Sequence, residues 1–518
     1  MKEETFVGLT GLDYAVLLGY LAVVIAIGLY FSRGTKNTED YLLGGRRIPW
    51  WAVGISYSVS VTSTLSFVAI PGEAYKSGVT MALKLLLVPI TAVVTFFIFV
   101  PFFFKVLVFT PFSYLERRFD GPVRTLAAAM FCFTRLLYIA LVLYSSSKVF
   151  EGTAGWNLTT TILLIGAIGI LYTVLGGIRA VVWTDVAQFV MMMGGLLLLT
   201  IWIVDGVPGG ISGIFGYATS NDHFIRSQGA DFFSFSPYVR ITIWLIIAGS
   251  FSESLFFHSS DQITLQRMLS TSGYDQAKRA LYARLVVDIP MMLWLWFIGL
   301  GIWVFYQHQP EAARPVVPDH ALFQFIASEL PRPVPGLIVA ALMAAVMSTL
   351  DSGINSLATV FTKDFYVRFC QTEVTEATQL RFSRWMTVVT GLVAVAVALI
   401  ISSISEAAES TVLESSWLWM SLNYVIPAAF LLAVFSRRAT GRHVLIALGT
   451  GAAWTVVLIG IYLNAQHHGR ETVSPFYIGA SAMVVTIVVG LVASRFARRR
   501  SDEELADLTL WTLSKGDE

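Results

Sequence analysis

The stretch WWAVGISYSVSVTSTLSFVAIPG, residues 50–72, crowds Ser56, Ser58, Ser60, Thr62, Ser63, Thr64 and Ser66 into an otherwise apolar run. A single hydroxyl in a membrane helix ordinarily bonds back to its own backbone or to a neighbouring helix. Seven within eleven residues, between Gly54 and the Pro71-Gly72 pair, predict instead a helix that unwinds near its middle and frees carbonyls to ligate a cation. Backbone breaks at membrane depth are tolerated only where they line a cavity or are buried in protein.

Composition puts the chain in a membrane. Its 518 residues are 56% hydrophobic and 13% charged, with a mean hydropathy of +0.69, against about 25% charged in a typical soluble domain. A soluble core cannot absorb that much apolar surface without large exposed patches, so a cytosolic enzyme, a secreted binding module and a disordered chain are excluded. The net charge of +1 shows no bias toward nucleic acid. Cys132 and Cys370 lack metal-type partners at short spacing and read as buried packing and an inert surface thiol. The first residues carry no basic n-region, so the apolar run after them is expected to remain as a first helix. No Gly-Lys pair is present for a P-loop, which argues against ATP as the power source.

Thirteen stretches reach the length of about 20 mostly apolar residues that a span requires. They are 12–32, 50–70, 80–105, 123–149, 158–175, 180–204, 238–257, 281–305, 336–361, 382–404, 412–435, 443–463 and 476–492. An odd number puts the termini on opposite faces. With the amino terminus outside, the inner segments collect 25 of the 35 lysines and arginines, Arg267 and Arg284 among them. The positive-inside bias therefore predicts amino terminus out and carboxyl terminus in. Two longer outer connections, 205–237 and 306–335, are rich in Gly, Pro and polar residues and are expected to hold short helices or lids.

Further polar residues stand out against this background. In AALMAAVMSTLDSGINSLATVFTKDFY, residues 340–366, Ser348, Thr349, Asp351, Ser352 and Asn355 fall within eight positions, and residues three or four apart share a helix face. Hydroxyls, carbonyls and a carboxylate suit a hard cation such as sodium. An intramembrane carboxylate points to function by default, the alternative being a structural pair with a basic residue. Arg135 lies between Arg124 at the inner face and Lys148 at the outer; those two are about 36 Å apart along a helix, which puts Arg135 roughly 16 Å deep. It needs a partner there. Either a protein carboxylate, Asp185, Asp261 or Asp351, or the carboxylate of a transported solute held by two parallel hydrogen bonds meets that need. Asp185 and Gln188, just inside the sixth span, either mark topology or reach the hydroxyls of the ninth. Lys84, Glu253, His258 and Asp288 are read as edge or snorkelling positions.

Three strings in order resemble the sodium:solute symporter family: DYLLGGRRIPWWAVGIS from Asp40, GGIRAVVWTD from Gly176 and AAVMSTLDSGINSLATVFTKDFY from Ala344. The likeness covers nearly the whole chain. It implies an all-α membrane protein with the five-plus-five inverted repeat of leucine-transporter-like proteins. The first repeat would span 50–204 and the second 238–436, joined by an extracellular loop at 205–237. An extra helix and cytoplasmic loop (1–49) would precede them, and two further helices (437–495) and a cytoplasmic tail (496–518) would follow.

The resemblance also implies sites. The main sodium site carries over to the carbonyls of Val59, Thr62 and Ala345 and the hydroxyls of Ser348 and Thr349. Some relatives have a second sodium site, which maps onto Asp185, Ser348, Asp351 and Ser352. Asp351 departs from the family's hydroxyl pattern, so one sodium or two remains open. Sugar-transporting relatives carry a glutamine at the position of Ser66 and a glutamate at that of Leu85, and both are absent. Sialic-acid-transporting relatives are more similar, with an arginine equivalent to Arg135 and hydroxyls at Ser63 and Ser66. With Asp261, these form the candidate substrate-binding set. The expected protein is a sodium-coupled importer of a carboxylate-bearing solute such as sialic acid or a monocarboxylate, working by alternating access in the plasma (cell inner) membrane as a multi-pass protein. A monomer would suffice. The alternatives are a neutral sugar or polyol as solute, or a sodium-independent uniporter or channel of the same fold. An enzyme is not expected, because no nucleophile, base and oxyanion grouping is visible.

Overall fold

Long apolar runs at membrane depth must satisfy every backbone N–H and C=O internally, which favours helices. The computed structural model of the chain describes residues 9–33, 35–106, 108–225, 229–370, 374–404, 414, 417–418 and 420–513, and among these every regular element is helical. The main helices are α1 (Gly11–Ser32), α2 (Trp50–Val61), α3 (Thr64–Ser77), α4 (Lys84–Val106), α5 (Gly121–Ala154), α6 (Leu158–Asp205) and α7 (Ile243–Ser259). They continue with α8 (Gln262–Leu269), α9 (Tyr274–Gln307), α10 (Val334–Val360), α11 (Glu376–Ile404), α12 (Val425–Phe435), α13 (Gly441–His467) and α14 (Pro475–Ser494).

Among the described residues, nine helices are long and apolar enough to cross a bilayer, or ten if the bent pair α2 and α3 is one span. The count differs from thirteen for identifiable reasons. Helix α6 runs 48 residues through two expected spans, interrupted at Gly177 (φ 59°, ψ −161°). A Cβ there would sit 2.4 Å from the Tyr41 carbonyl oxygen, so only glycine fits this left-handed step. Helix α7 has only 17 residues. The expected span 412–435 lies partly outside the described residues; its described end is Ser421–Phe435. The two longer connections, 205–237 and 306–335, hold short helices, Gly210–Ser220 and Ala321–Ser328, as expected.

Helix α10 is the axis of the bundle. Every residue from Ile338 to Val360 is buried, and α1, α5, α6 and α11 pack around it. A helix that can be buried on all sides must be apolar all round, and the exceptions, Ser348 to Asn355, are therefore conspicuous. Peripheral α1 and α13 expose Leu18 and Val456 instead, as expected of surfaces that meet lipid.

Two helices break inside the bundle. Between α2 and α3, Thr62 (φ −98°, ψ 92°) and Ser63 (φ −87°, ψ 172°) are extended, and the two helices meet at 62°. This is the interruption expected from the hydroxyl-rich stretch. Between α7 and α8, Ser260 and an extended Asp261 (φ −82°, ψ 114°) form a second break, which the sequence reading missed. That reading ended the span at 257 and assigned the following residues to a cytoplasmic connection, yet all of Gln262–Leu269 is buried. Arg118, Arg267 and Arg284, counted there as inner-face charges, are buried inside the protein. His258 and Asp288 are buried rather than at edges.

Candidate functional site

The first break presents its oxygens to α10. The carbonyl of Val59, in the last turn of α2, accepts a hydrogen bond from Ser348 Oγ at 3.3 Å. The same hydroxyl lies 3.0 Å from the Ala345 carbonyl, and Thr349 Oγ1 donates to that carbonyl at 3.3 Å. Thr64 Oγ1, just beyond the break, donates to the Leu342 carbonyl at 3.1 Å. Four of the five residues expected at the main sodium site, Val59, Ala345, Ser348 and Thr349, are thus linked in one chain of hydrogen bonds, of which Ser348 to Val59 crosses between helices. The fifth, Thr62, sits in the break itself with its hydroxyl turned back to the Ser58 carbonyl at 3.0 Å. All five are buried. The set consists of neutral oxygens from two elements, and rotating two hydroxyls frees both carbonyls and hydroxyl lone pairs together. That donor chemistry fits a hard monovalent cation.

A second cluster lies about one helical turn along α2 and α10 from the first, at Ser56 and Ser352. Arg267 of α8 pairs with Asp185 of α6 at 2.9 Å and donates to Ser56 Oγ at 2.8 Å and Ser352 Oγ at 2.6 Å. Ser56 Oγ in turn donates to Asp185. Asp351 accepts from Ser352 Oγ at 3.2 Å and from the Tyr172 hydroxyl at 2.8 Å. A resident guanidinium therefore already joins Asp185 and Ser352, two of the four residues expected to hold a second sodium ion. Asp185 Oδ1 has no hydrogen-bond partner among the described residues. With both carboxylates ionised the trio carries one net negative charge in a fully buried place, and an unbalanced buried charge is costly. Arg267 and Tyr172 were not singled out from the sequence. Arg267 sits in a short polar helix that hydropathy reads as a loop, and Tyr172 is one aromatic in an apolar run.

The third cluster answers the question of Arg135. Its Nη2 donates to Asp261 Oδ1 in an ion pair. Asp261 also caps α8, accepting from Thr264 N at 3.1 Å and Thr264 Oγ1 at 2.9 Å. The guanidinium lies 5.5 Å from the Phe131 ring and 5.6 Å from the Tyr138 ring, within cation–π range. The Tyr138 hydroxyl reaches Ser63 Oγ at 3.4 Å, so this cluster connects the second break to the first. Ser66 is half-buried one turn into α3; its N–H donates to the Ser63 carbonyl at 2.9 Å. Of the three carboxylates considered, Asp261 is the partner. Asp185 and Asp351 belong to the Arg267 cluster.

A model described as the sodium:solute symporter family matches residues 41–451. The chain belongs to this family. Among similar proteins, the sodium/sialic acid symporter NanT of Aliivibrio fischeri is 30% identical over 511 residues, covering 96% of each chain. The human sodium-coupled monocarboxylate transporter 1 is 29% identical over 399 residues, covering 75% of this chain and 64% of that protein. A solved Na+-coupled sialic acid symporter, substrate-bound and outward-open and reported with a novel Na+ site, superposes with a TM-score of 0.85 at 26% identity. That match covers 95% of this chain and 99% of the other. This symporter is accordingly a multi-pass membrane transporter of a small solute with sodium as co-substrate, and not an enzyme.

Proposed function

We propose that this symporter imports a carboxylate-bearing organic solute, such as sialic acid or a monocarboxylate, across the plasma (cell inner) membrane by alternating access. Thirteen spans, amino terminus outside and carboxyl terminus inside, are the reading we favour. Helix α6 supports it: its 48 residues, interrupted at Gly177, sum to about 72 Å of helix, more than twice the roughly 30 Å hydrocarbon core and enough for two crossings joined at that interruption. Repeats at 50–204 and 238–436 are supported by the broken helix near the start of each. The segments 1–49, 205–237, 437–495 and 496–518 would then be an added first helix and loop, an outer connection, two added helices and a tail. One copy of the chain contains every residue the proposal uses.

The observation that carries the reading is the contact of the first break with α10. Sodium entering from outside would bind Val59, Thr62, Ala345, Ser348 and Thr349, bridging α2 to α10. Bridging favours one conformational state and pre-orders the solute site, so coupling is a difference in sodium affinity between states. Asp185, Asp351 and Ser352 would take a second cation, a role supported by the unpartnered Asp185 oxygen. The solute would bind among Ser63, Ser66, Arg135 and Asp261, its carboxylate sharing the guanidinium with Asp261. The Arg135–Asp261 pair also favours a second reading. A guanidinium already satisfied by a protein carboxylate needs no anion, which suits a neutral sugar or polyol.

Uptake into proteoliposomes under an inward sodium gradient, with sialic acids, small monocarboxylates, hexoses and amino acids in parallel, separates the two. Accumulation of one carboxylate that disappears when the gradient is collapsed is the expected result. Arg135→Ala should then weaken its half-saturation by about 10-fold to 150-fold, as the loss of a charge-assisted hydrogen bond implies. Accumulation of a neutral solute that tolerates Arg135→Ala would overturn the anion clamp and leave Arg135 structural. Equilibration without a gradient would overturn sodium coupling.

A further inference from the structure

Away from the transport path, the carboxyl-terminal ends of α12 and α14 leave a groove of about 720 Å3. Two chemistries meet in it. Leu491 and Val492 continue the apolar outer side of α14 into the groove, 50% and 61% exposed. Arg437, Arg438, Arg495 and Arg499 converge on the same space, and the ten lining residues include no acid. Trp511 closes one side, its Nε1 donating to the Phe435 carbonyl at 3.1 Å.

Only part of this charge is neutralised. Arg437 pairs with Asp502 at 2.9 Å, and Arg438 Nη1 donates to the Arg495 carbonyl at 2.5 Å. Arg438, Arg495 and Arg499 make no ion pair among the described residues. A topology signal would require only that basic residues lie on the inner side, scattered over the loops. Here the guanidiniums are gathered on one open groove whose other wall is an exposed apolar strip of α14, with an indole of the kind that favours the interface.

We propose that this groove binds an anionic phospholipid, its phosphodiester held by the arginine forks and an acyl chain laid along Leu491 and Val492. The inference goes beyond the transport reading and uses only the orientation that puts these helix ends in the cytoplasm. A ligand for the site must be anionic at one end and apolar at the other, and guanidiniums match phosphate oxygens in pairs. A soluble phosphate would use the arginines and ignore the apolar wall.

The test is native mass spectrometry of the full-length protein released from micelles doped with phosphatidylglycerol or with phosphatidylcholine, with thermal unfolding as the check of folding. Selective retention of phosphatidylglycerol is expected. Arg495→Gln with Arg499→Gln should weaken it about thirty-fold, at about five-fold per arginine near a membrane surface. Should the double variant not fold, Arg499→Gln alone should show about five-fold. Lys278→Gln with Arg381→Gln removes two basic residues near the starts of α9 and α11, neither of which lines the groove, and should leave retention unchanged. Equal retention in the groove variant, or equal loss in the control, would overturn the site. Displacement of phosphatidylglycerol by millimolar inorganic phosphate would overturn the lipid assignment in favour of a soluble anion.

Discussion

Thr62–Ser63 and Ser260–Asp261 are both buried two-residue interruptions between helices, but they turn different chemistry toward their surroundings. The first break offers the Val59 carbonyl to Ser348 of α10, whose own Ser348 and Thr349 hydroxyls meet the Ala345 carbonyl, without a formal charge among them. The second is built on charge. Asp261 caps α8 and pairs with Arg135, and two turns further on Arg267 holds Asp185. A neutral oxygen cluster can gain and lose a cation with only hydroxyl rotations to compensate. A buried ion pair cannot lose a partner without stranding the other charge. On the proposed reading the first region binds and releases its cation by hydroxyl rotation, while the ion pairs of the second hold the scaffold on which solute and a second cation bind.

The sharpest way to break that assignment is Arg267→Ala. It strands Asp185 beside Asp351 and should cost about 3–5 kcal/mol, seen as a large drop in the thermal unfolding midpoint of the purified protein. Arg267→Lys keeps the charge but not the fork, and should fall between. A midpoint unchanged by Arg267→Ala would show that the second region is no scaffold.

A smaller effect, in function rather than stability, is expected from Ser348→Ala combined with Thr349→Ala. The fold should survive, while the sodium concentration for half-maximal uptake rises about tenfold or more, equivalent to about 1.4 kcal/mol. An unaltered sodium dependence would remove these hydroxyls from the cation site.

Thr64→Val should do least. It deletes one interhelical hydrogen bond, to the Leu342 carbonyl, worth about 0.6 kcal/mol in membrane helices, so the unfolding midpoint should slip slightly and sodium dependence should hold. If this change raised the sodium requirement as far as the Ser348 and Thr349 pair does, the break would be acting as one unit rather than as separate ligands.

The first break was legible because its signal is local: seven hydroxyls in eleven apolar residues leave a mark that any reading of residues 56–66 meets. The second left a similar mark, with Ser250, Ser252, Ser254, Ser259 and Ser260 close together. It was hidden because α8 is short and carries Gln262, Gln266 and Arg267, side chains that a hydropathy average assigns to solvent. Their burial follows from partners elsewhere. Gln266 Nε2 donates to Asn355 Oδ1 at 2.7 Å and to the Leu42 carbonyl at 2.6 Å, and Arg267 meets Asp185. A polar helix inside a membrane protein is stable only when other elements satisfy it.

Sequence alone determined the membrane class, the polar face of α10 and the interruption at Thr62–Ser63, because hydropathy, helix periodicity and hydroxyl density are properties of neighbours along the chain. It also showed that Arg135 needs an anionic partner, but left three protein carboxylates and a solute in contention. Only the tertiary structure decided among the protein carboxylates, pairing Arg135 with Asp261 across 126 positions and Asp185 with Arg267 across 82. At such separations the choice belongs to helix packing. A buried charge accepts whichever opposite charge the bundle brings within reach, and local sequence does not encode that proximity.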